Sequence, residues 1–266
     1  MMMPMSPANL PITGQLLADV LEQAESLARA AGAMAMQRFG RAQRVDWKPD
    51  ASPVTESDLL IEAWLRQELS ARFPQHGILG EESGGAQADA EYLWILDPID
   101  GTRSYARGIP IFGIQLALAW HGKPILGVIH LPALGETVAA ASGLGCRFNG
   151  EPCRVSEIRD PARALVMVHE RDLARARSPA LQSWLEQIQI ERNWGDCYSF
   201  VLVATGRAEV ALDPRMQVWD NGPLPVILRE AGGHFSDWQG ADTIWTGSAV
   251  TANAYMAPAL LELLQS

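Results

Sequence analysis

The apolar string Tyr92-Leu93-Trp94-Ile95-Leu96 runs directly into Asp97-Pro98-Ile99-Asp100-Gly101-Thr102. A short run of this kind reads as a buried strand, and here it ends on two carboxylates three residues apart. With Pro98 stiffening a turn, both carboxylates converge on one point, and the Ile99 carbonyl between them adds a third oxygen donor. Hard cations such as Mg²⁺ take oxygen ligands of this kind and keep several waters besides. Gly101 permits close backbone approach, and the amides of Gly101 and Thr102 face an anion if a helix or nest begins there. Taken alone, the same string also reads as an Asp-Pro turn followed by a solvated Asp-Gly pair.

Three other acidic elements bear on this choice. Gly80-Glu81-Glu82-Ser83 closes a short strand. Its paired acids are either a solvated turn or, beside the first string, a source of a further ligand or a base for a metal-bound water, Glu81. Trp219-Asp220-Asn221-Gly222-Pro223 places Asp220 at the start of a helix, where a carboxylate caps or is aimed at a metal from the second half of the chain. Lys48 to Asp58 contains Asp50, Ser52, Val54 and Thr55. Thr55 is the expected cap of a helix, and Asp58 is either its third-position acid or the partner of an active-site hydroxyl.

The remaining pattern indicates mixed α/β architecture. Residues 1–12 are Met- and Pro-rich and are expected to fray. Leu17, Leu21, Ala24, Ala28, Ala31 and Ala35 predict a helix from Gln15 to Phe39, ended by Gly40. Leu60, Trp64 and Phe73 are the expected buried side of the helix after Thr55. Ile111 to Trp120 and Pro124 to Leu131 read as a hairpin joined at His121-Gly122-Lys123, with a further strand from Thr137 to Ala141. The second half alternates. Strands are expected over Ala164–His169, Ala208–Leu212 and Ala249–Thr251. Helices are expected over Pro179–Ile188, Cys197–Thr205, Asp220–Ala231 and Ala257–Leu264. At 266 residues, two lobes of one unit are expected, 1–145 and 146–266.

Lys+Arg of 21 against Asp+Glu of 31 gives a net charge of −10, which argues against a general nucleic-acid or anionic-membrane binder. An acidic chain still handles phosphates if a cation does the charge work. The three cysteines, Cys146, Cys153 and Cys197, show no C-x-x-C spacing, so neither a disulfide framework nor a zinc knuckle is expected. Met1 to Pro11 has no signal-peptide pattern, and no apolar run is long enough for a membrane span. A cytoplasmic protein is expected.

Together, V-T-x-x-D at Val54 to Asp58, G-E-E-S at Gly80 to Ser83, D-P-I-D-G-T at Asp97 to Thr102 and the late Trp219-Asp220 resemble the inositol monophosphatase superfamily of metal-dependent, lithium-sensitive phosphatases. The resemblance covers nearly the whole chain. It implies a layered αβαβα fold of α+β and α/β character. It also implies a homodimer and direct in-line attack of metal-activated water on a small phosphate monoester. Carried onto this chain, it implies that Glu81, Asp97 and the Ile99 carbonyl hold one Mg²⁺, and that Asp97, Asp100 and Asp220 hold a second. The same resemblance implies a weaker third ion near Glu81, and implies that Thr102 with Asp58 would help orient and deprotonate the water while the Gly101 and Thr102 amides would grip the phosphate.

Arg103-Ser104-Tyr105 and Trp194-Gly195-Asp196-Cys197-Tyr198 look like the histidinol-phosphate phosphatase branch. Asp196 and Asp213 match positions that contact the leaving alcohol. With Asp100 they would surround the ammonium and imidazole of histidinol with carboxylates, unless Asp196 is simply a helix cap. Asn221 is expected to narrow or polarise that pocket. Histidinol phosphate is thus the leading substrate and inositol 1-phosphate the runner-up. Nucleotide 3′-phosphates and fructose 1,6-bisphosphate come lower, since no basic cluster for a second phosphate is visible. Some family members also act as RNA- or polymerase-associated partners. The charge argues against direct RNA contact, and the intact ligand set argues against a dead enzyme.

Overall fold

The computed structural model describes residues 12–41, 44–49, 52–86 and 89–265. The expected fraying of the first residues and the position of Asp50 lie outside them. Helices α1 (Gly14–Arg38) and α2 (Glu56–Arg72) flank β1 (Val45–Trp47) and β2 (Pro53–Thr55), which pair antiparallel. Then come β3 (Gly77–Gly80), β4 (Gly84–Ala86), β5 (Tyr92–Asp100) and the short helix α3 (Thr102–Ala106). Strands β6 (Gly113–Trp120), β7 (Lys123–Leu131), β8 (Glu136–Ala141), β9 (Gly145–Phe148) and β10 (Glu151–Pro152) complete the first half. They form an eight-stranded sheet in the order β10-β9-β8-β7-β6-β5-β3-β4.

The second half runs β11 (Leu165–Val168), α4 (Arg171–Arg177), α5 (Ala180–Leu185), β12 (Ile190–Arg192), α6 (Asp196–Ala204) and β13 (Val210–Asp213). It ends with α7 (Val218–Asn221), α8 (Leu224–Glu230), β14 (Gly233–Ser236), β15 (Ala249–Asn253) and α9 (Ala257–Leu264). Its five-stranded sheet has the order β12-β11-β13-β15-β14. The first sheet runs through Pro152, past the 145/146 boundary expected from sequence, because Cys146 and its neighbours pair with β8.

Helices α1 and α2 cover one face of the first sheet, α6 and α8 fill the space between the sheets, and α4, α5 and α9 cover the far face of the second. This is the layered αβαβα arrangement. Each fully buried side chain, such as Leu17, Leu65 or Ile114, contributes roughly 1.5–3 kcal/mol from leaving water. The predicted hairpin is β6–β7, and its two-residue turn has positive φ at His121 and Gly122 (46° and 76°), as a tight hairpin turn requires.

Three expectations need correction. Leu60 is 44% exposed, and Trp64 and Phe73 are only partly buried; the buried residues of α2 are Ser57, Asp58, Ile61, Glu62, Leu65 and Leu69. Apolarity misplaces this face because two carboxylates belong to it. The single helix expected over Asp220–Ala231 is two, α7 and α8, broken at Gly222-Pro223. Asp97 to Asp100 is no simple turn: it continues β5 through a bulge between Asp97 and Asp100, a place where Pro98 costs no ladder bond. All three cysteines are free thiols, with the sulfurs of Cys146 and Cys153 3.4 Å apart. No described helix is long and apolar enough to cross a membrane.

Candidate active site

The site is assembled from both halves. Strand β3 lies parallel to β5 with Gly80 opposite Leu96, so Glu81 emerges beside Asp97. Asp97 and Asp100 stand on the bulged end of β5, and the Asp97 carboxylate accepts the Ile99 amide at 3.0 Å. Asp220 comes from α7, where it accepts the Gln217 amide at 2.6 Å. It is thus the third residue of that helix, not its cap. Carboxylate oxygens of Asp97, Asp100 and Asp220 all lie within 4.8 Å of one another, the one such group among the described residues.

Close approach delivers Asp220. A Cβ on Gly127 of β7 would lie 2.5 Å from the Pro223 carbonyl, and one on Gly222 would lie 3.1 Å from the Ala117 Cβ. The α7–α8 elbow therefore rests directly on β6 and β7. A second link is the Cys197 amide at the start of α6, which donates to Asp100. Asn221 is fully buried and points its amide at the Ser248 carbonyl, 3.4 Å away. It does not line an open pocket, contrary to expectation.

Asp58 makes the contacts of both candidate roles. One oxygen accepts the Thr55 amide at 2.8 Å and the Thr55 hydroxyl, closing the helix cap. The other lies 3.1 Å from the Thr102 hydroxyl, which is also 3.0 Å from the Ile99 carbonyl. The single hydroxyl hydrogen serves one acceptor at a time. Gly101 sits at φ 81° and ψ 38°, where its carbonyl receives the Ser104 and Tyr105 amides and starts α3. Tyr105 is buried and donates to the Ala35 carbonyl at 2.9 Å, with Ser57 Oγ also at 2.9 Å. This part of the branch signature therefore anchors α3 rather than facing substrate.

Glu81 is not one of the 4.8 Å group, although its charge acts on Asp97 and Asp220. Lys48 Nζ lies 2.7 Å from Glu81 and 2.9 Å from Glu82. Burial opposes the charge on Lys48, but these two carboxylates more than offset it and hold its pKa above the usual range. Burial pushes Asp97 and Asp100 well above the ordinary carboxylate range, reinforced for Asp97 by Glu81 and for Asp100 by Asp196. Burial likewise raises Asp220 to about 7, against the Gln217 bond, and Asp58 to about 6. Buried acids crowded this closely need a counter-charge to ionise together.

Asp196 is the first residue of α6 and takes the strained φ of 57°, while Gly195 is the cap. Its carboxylate faces Gly101, whose Cβ would lie 2.9 Å from Asp196 Oδ2. Asp213 closes β13, accepts the Arg215 amide at 2.8 Å and pairs with His169 Nδ1 at 2.9 Å. Although burial works against it, the Asp213 bond holds the His169 pKa above its usual value. Sequence reasoning missed His169, which carries no motif, and read Arg103 only as part of the branch signature, although its charge opposes the rise of Asp196. Asp196 and Asp213 are therefore already partly balanced.

Comparison with known proteins identifies the family. The family model "Inositol monophosphatase family" matches residues 16–266. The chain is 40% identical over 247 residues to a histidinol-phosphatase from Chlorobaculum parvum, covering 91% of this chain and 95% of that one. It is 33% identical to a histidinol-phosphatase from Mycobacterium tuberculosis, covering 93% and 98%. Among solved structures, the extragenic suppressor protein SuhB from Bartonella henselae superimposes with a TM-score of 0.86 at 28% identity, covering 93% and 99%. The chain belongs to the inositol monophosphatase family and is a phosphoric monoester hydrolase.

Proposed function

We propose that this enzyme is a Mg²⁺-dependent phosphatase of a small monoester, with histidinol phosphate as its substrate. The carrying observation is the convergence of Asp97, Asp100 and Asp220 beside a second acidic pair, Asp196 and Asp213. The donor set fits the cation: all-oxygen, buried, short of positive charge, and close enough to share ions. Glu81, Asp97 and the Ile99 carbonyl would hold one Mg²⁺, and Asp97, Asp100 and Asp220 another, with a third near Glu81. When bound, the ions supply a lowered water pKa and charge neutralisation at the entering and leaving oxygens.

The chain's own groups do the rest. The Thr102 hydroxyl, held by Asp58, orients the attacking water and passes its proton toward that carboxylate, whose pKa of about 6 suits a base near neutrality. Glu81 stands ready as a second acceptor. The Gly101 and Thr102 amides grip the phosphate, and Asp100, Asp196 and Asp213 face the leaving alcohol. Two carboxylates suit an alcohol bearing an ammonium better than a neutral polyol, which needs hydrogen bonds alone. The 40% identity to a histidinol-phosphatase supports this choice. A second reading, inositol 1-phosphate, draws on the His169 ion pair, which already occupies one Asp213 oxygen. Two lobes of one catalytic unit, a homodimer and a cytoplasmic setting belong to the same proposal; the free thiols support the last.

The test is a panel of histidinol phosphate, inositol 1-phosphate, a nucleotide 3′-phosphate and fructose 1,6-bisphosphate, assayed with Mg²⁺ and with EDTA. Histidinol phosphate should show the highest kcat/KM, and EDTA should abolish turnover. An inositol 1-phosphate preference of about tenfold, ~1.4 kcal/mol in the transition state, overturns the substrate choice.

A further inference from the structure

We propose that Glu62, outside the ligand set, is the positioning residue that aims Glu81 and thereby sets the cation affinity of the site. This rests on the metal reading above. Glu62 lies one helical turn after Asp58 on α2 and is completely buried. Its carboxylate accepts two consecutive amides of the loop that carries Glu81: Glu82 at 2.7 Å and Ser83 at 2.9 Å. Arg66 Nε donates to it at 2.8 Å, and the other end of that guanidinium reaches the Gly84 carbonyl. Bonds from charged groups are roughly twice as strong as neutral ones, so this one carboxylate fixes the backbone on the C-terminal side of Glu81.

The other side is fixed by sterics. A Cβ on Gly80 would lie 2.6 Å from Glu62 Cδ and 2.7–2.8 Å from its oxygens. Glycine at position 80 thus lets the carboxylate seat beneath the loop. One face of α2 serves two tasks a turn apart: Asp58 holds the Thr102 hydroxyl, and Glu62 holds the turn bearing Glu81. A fully buried carboxylate, paired with Arg66, is thus committed to the backbone next to Glu81.

The experiment measures Mn²⁺ binding by electron paramagnetic resonance, with Mn²⁺ as the probe for oxygen-ligand sites, alongside the Mg²⁺ activation constant, substrate KM, kcat and far-UV melting. Glu62→Gln keeps the shape but sets an NH₂ against one of three donors. It should weaken Mn²⁺ binding and raise the Mg²⁺ activation constant by about tenfold (~1.4 kcal/mol), with substrate KM at saturating Mg²⁺ within about twofold. Gly80→Ala displaces the same carboxylate and should do the same. The double variant should be no worse than the worse single one, as for residues acting through one contact. Unchanged Mn²⁺ affinity in folded Glu62→Gln or Gly80→Ala, or full additivity, overturns the proposal. Absent Mn²⁺ binding by the unaltered protein instead overturns the metal reading on which it stands.

Discussion

Asp97→Asn should stabilise the metal-free protein while abolishing phosphate release. Asp97, Asp100 and Asp220 sit within 4.8 Å of one another, and burial raises all three, joined by repulsion from Glu81, Asp100 and Asp220 at Asp97, from Asp196 and Asp220 at Asp100, and from Glu81 and Asp213 at Asp220, where a hydrogen bond with Asp97 works the other way. For Asp220 the rise is from 3.8 to about 7, which corresponds to ~4 kcal/mol if fully realised at 1.36 kcal/mol per unit. Water at the partly open side of Asp220 and relaxation of the cluster reduce this. Removing the Asp97 charge relieves its own burial and its share of the repulsion, for a gain of about 1–2 kcal/mol. The amide that replaces the carboxylate keeps an oxygen for the Ile99 N–H, so little is lost locally. At 2–4 °C per kcal/mol for a chain of this size, the melting temperature in EDTA at pH 8 should rise by roughly 2–8 °C.

The sign follows from linkage. An acid whose folded pKa exceeds its unfolded value binds protons more tightly when folded. Its penalty is absent below about pH 4 and grows as the pH rises through 7. The advantage of Asp97→Asn should therefore shrink toward pH 5. Added Mg²⁺ should raise the melting temperature of the unaltered protein at pH 8 and leave the variant nearly unmoved. Scanning calorimetry across pH 5–8, with phosphate release measured in parallel, checks this. A variant less stable than the parent in EDTA at pH 8, or one that still turns over, refutes the account.

Two further outcomes follow. Gly101→Ala places a Cβ at φ 81° and 2.9 Å from Asp196 Oδ2; left-handed backbone alone costs about 1–2 kcal/mol, so a melting-temperature drop of roughly 2–8 °C and at least tenfold lower kcat are expected. Asp196→Asn should lower kcat/KM for histidinol phosphate by roughly fivefold or more, ~1 kcal/mol, and spare inositol 1-phosphate; equal losses on both would remove Asp196 from charge recognition.

What was legible in the sequence was the chemistry carried on local strings. Asp97, Asp100, Glu81, Asp58 and Asp220 each announce themselves beside a strand end or helix start, and the hairpin announces itself through alternation and His121-Gly122. What stayed hidden depends on contacts between distant segments. Glu62 resembles any surface acid of an amphipathic helix until β3 is placed against α2. His169 follows an ordinary apolar strand, and only the neighbouring β13 brings Asp213 to it. The break between α7 and α8 was written as Gly222-Pro223, yet Pro223 suits a first helical turn equally well. Gly127 offered the missing signal: a glycine inside a strand marks a close backbone approach, and here the approaching group is Pro223.

That contact explains how an acid from the second half joins acids from the first with little slack. Asp220 sits three residues before Pro223 on a short helix; the Pro223 backbone lies directly on Gly127 of β7, and Gly222 lies against the Ala117 Cβ of β6 and the Ile95 side chain of β5. The Cys197 amide on Asp100 fixes a second point. The two points lie on α7 and α6, the layer between the sheets, whose apolar residues share one core with β5, β6 and β7. The core that holds the sheets together is thus the same core that sets the distance between Asp220 and Asp97. Metal-free repulsion among the aspartates works against this packing, and a bound cation would work with it. Folding and metal binding should accordingly be coupled more strongly across this interlayer than within either sheet.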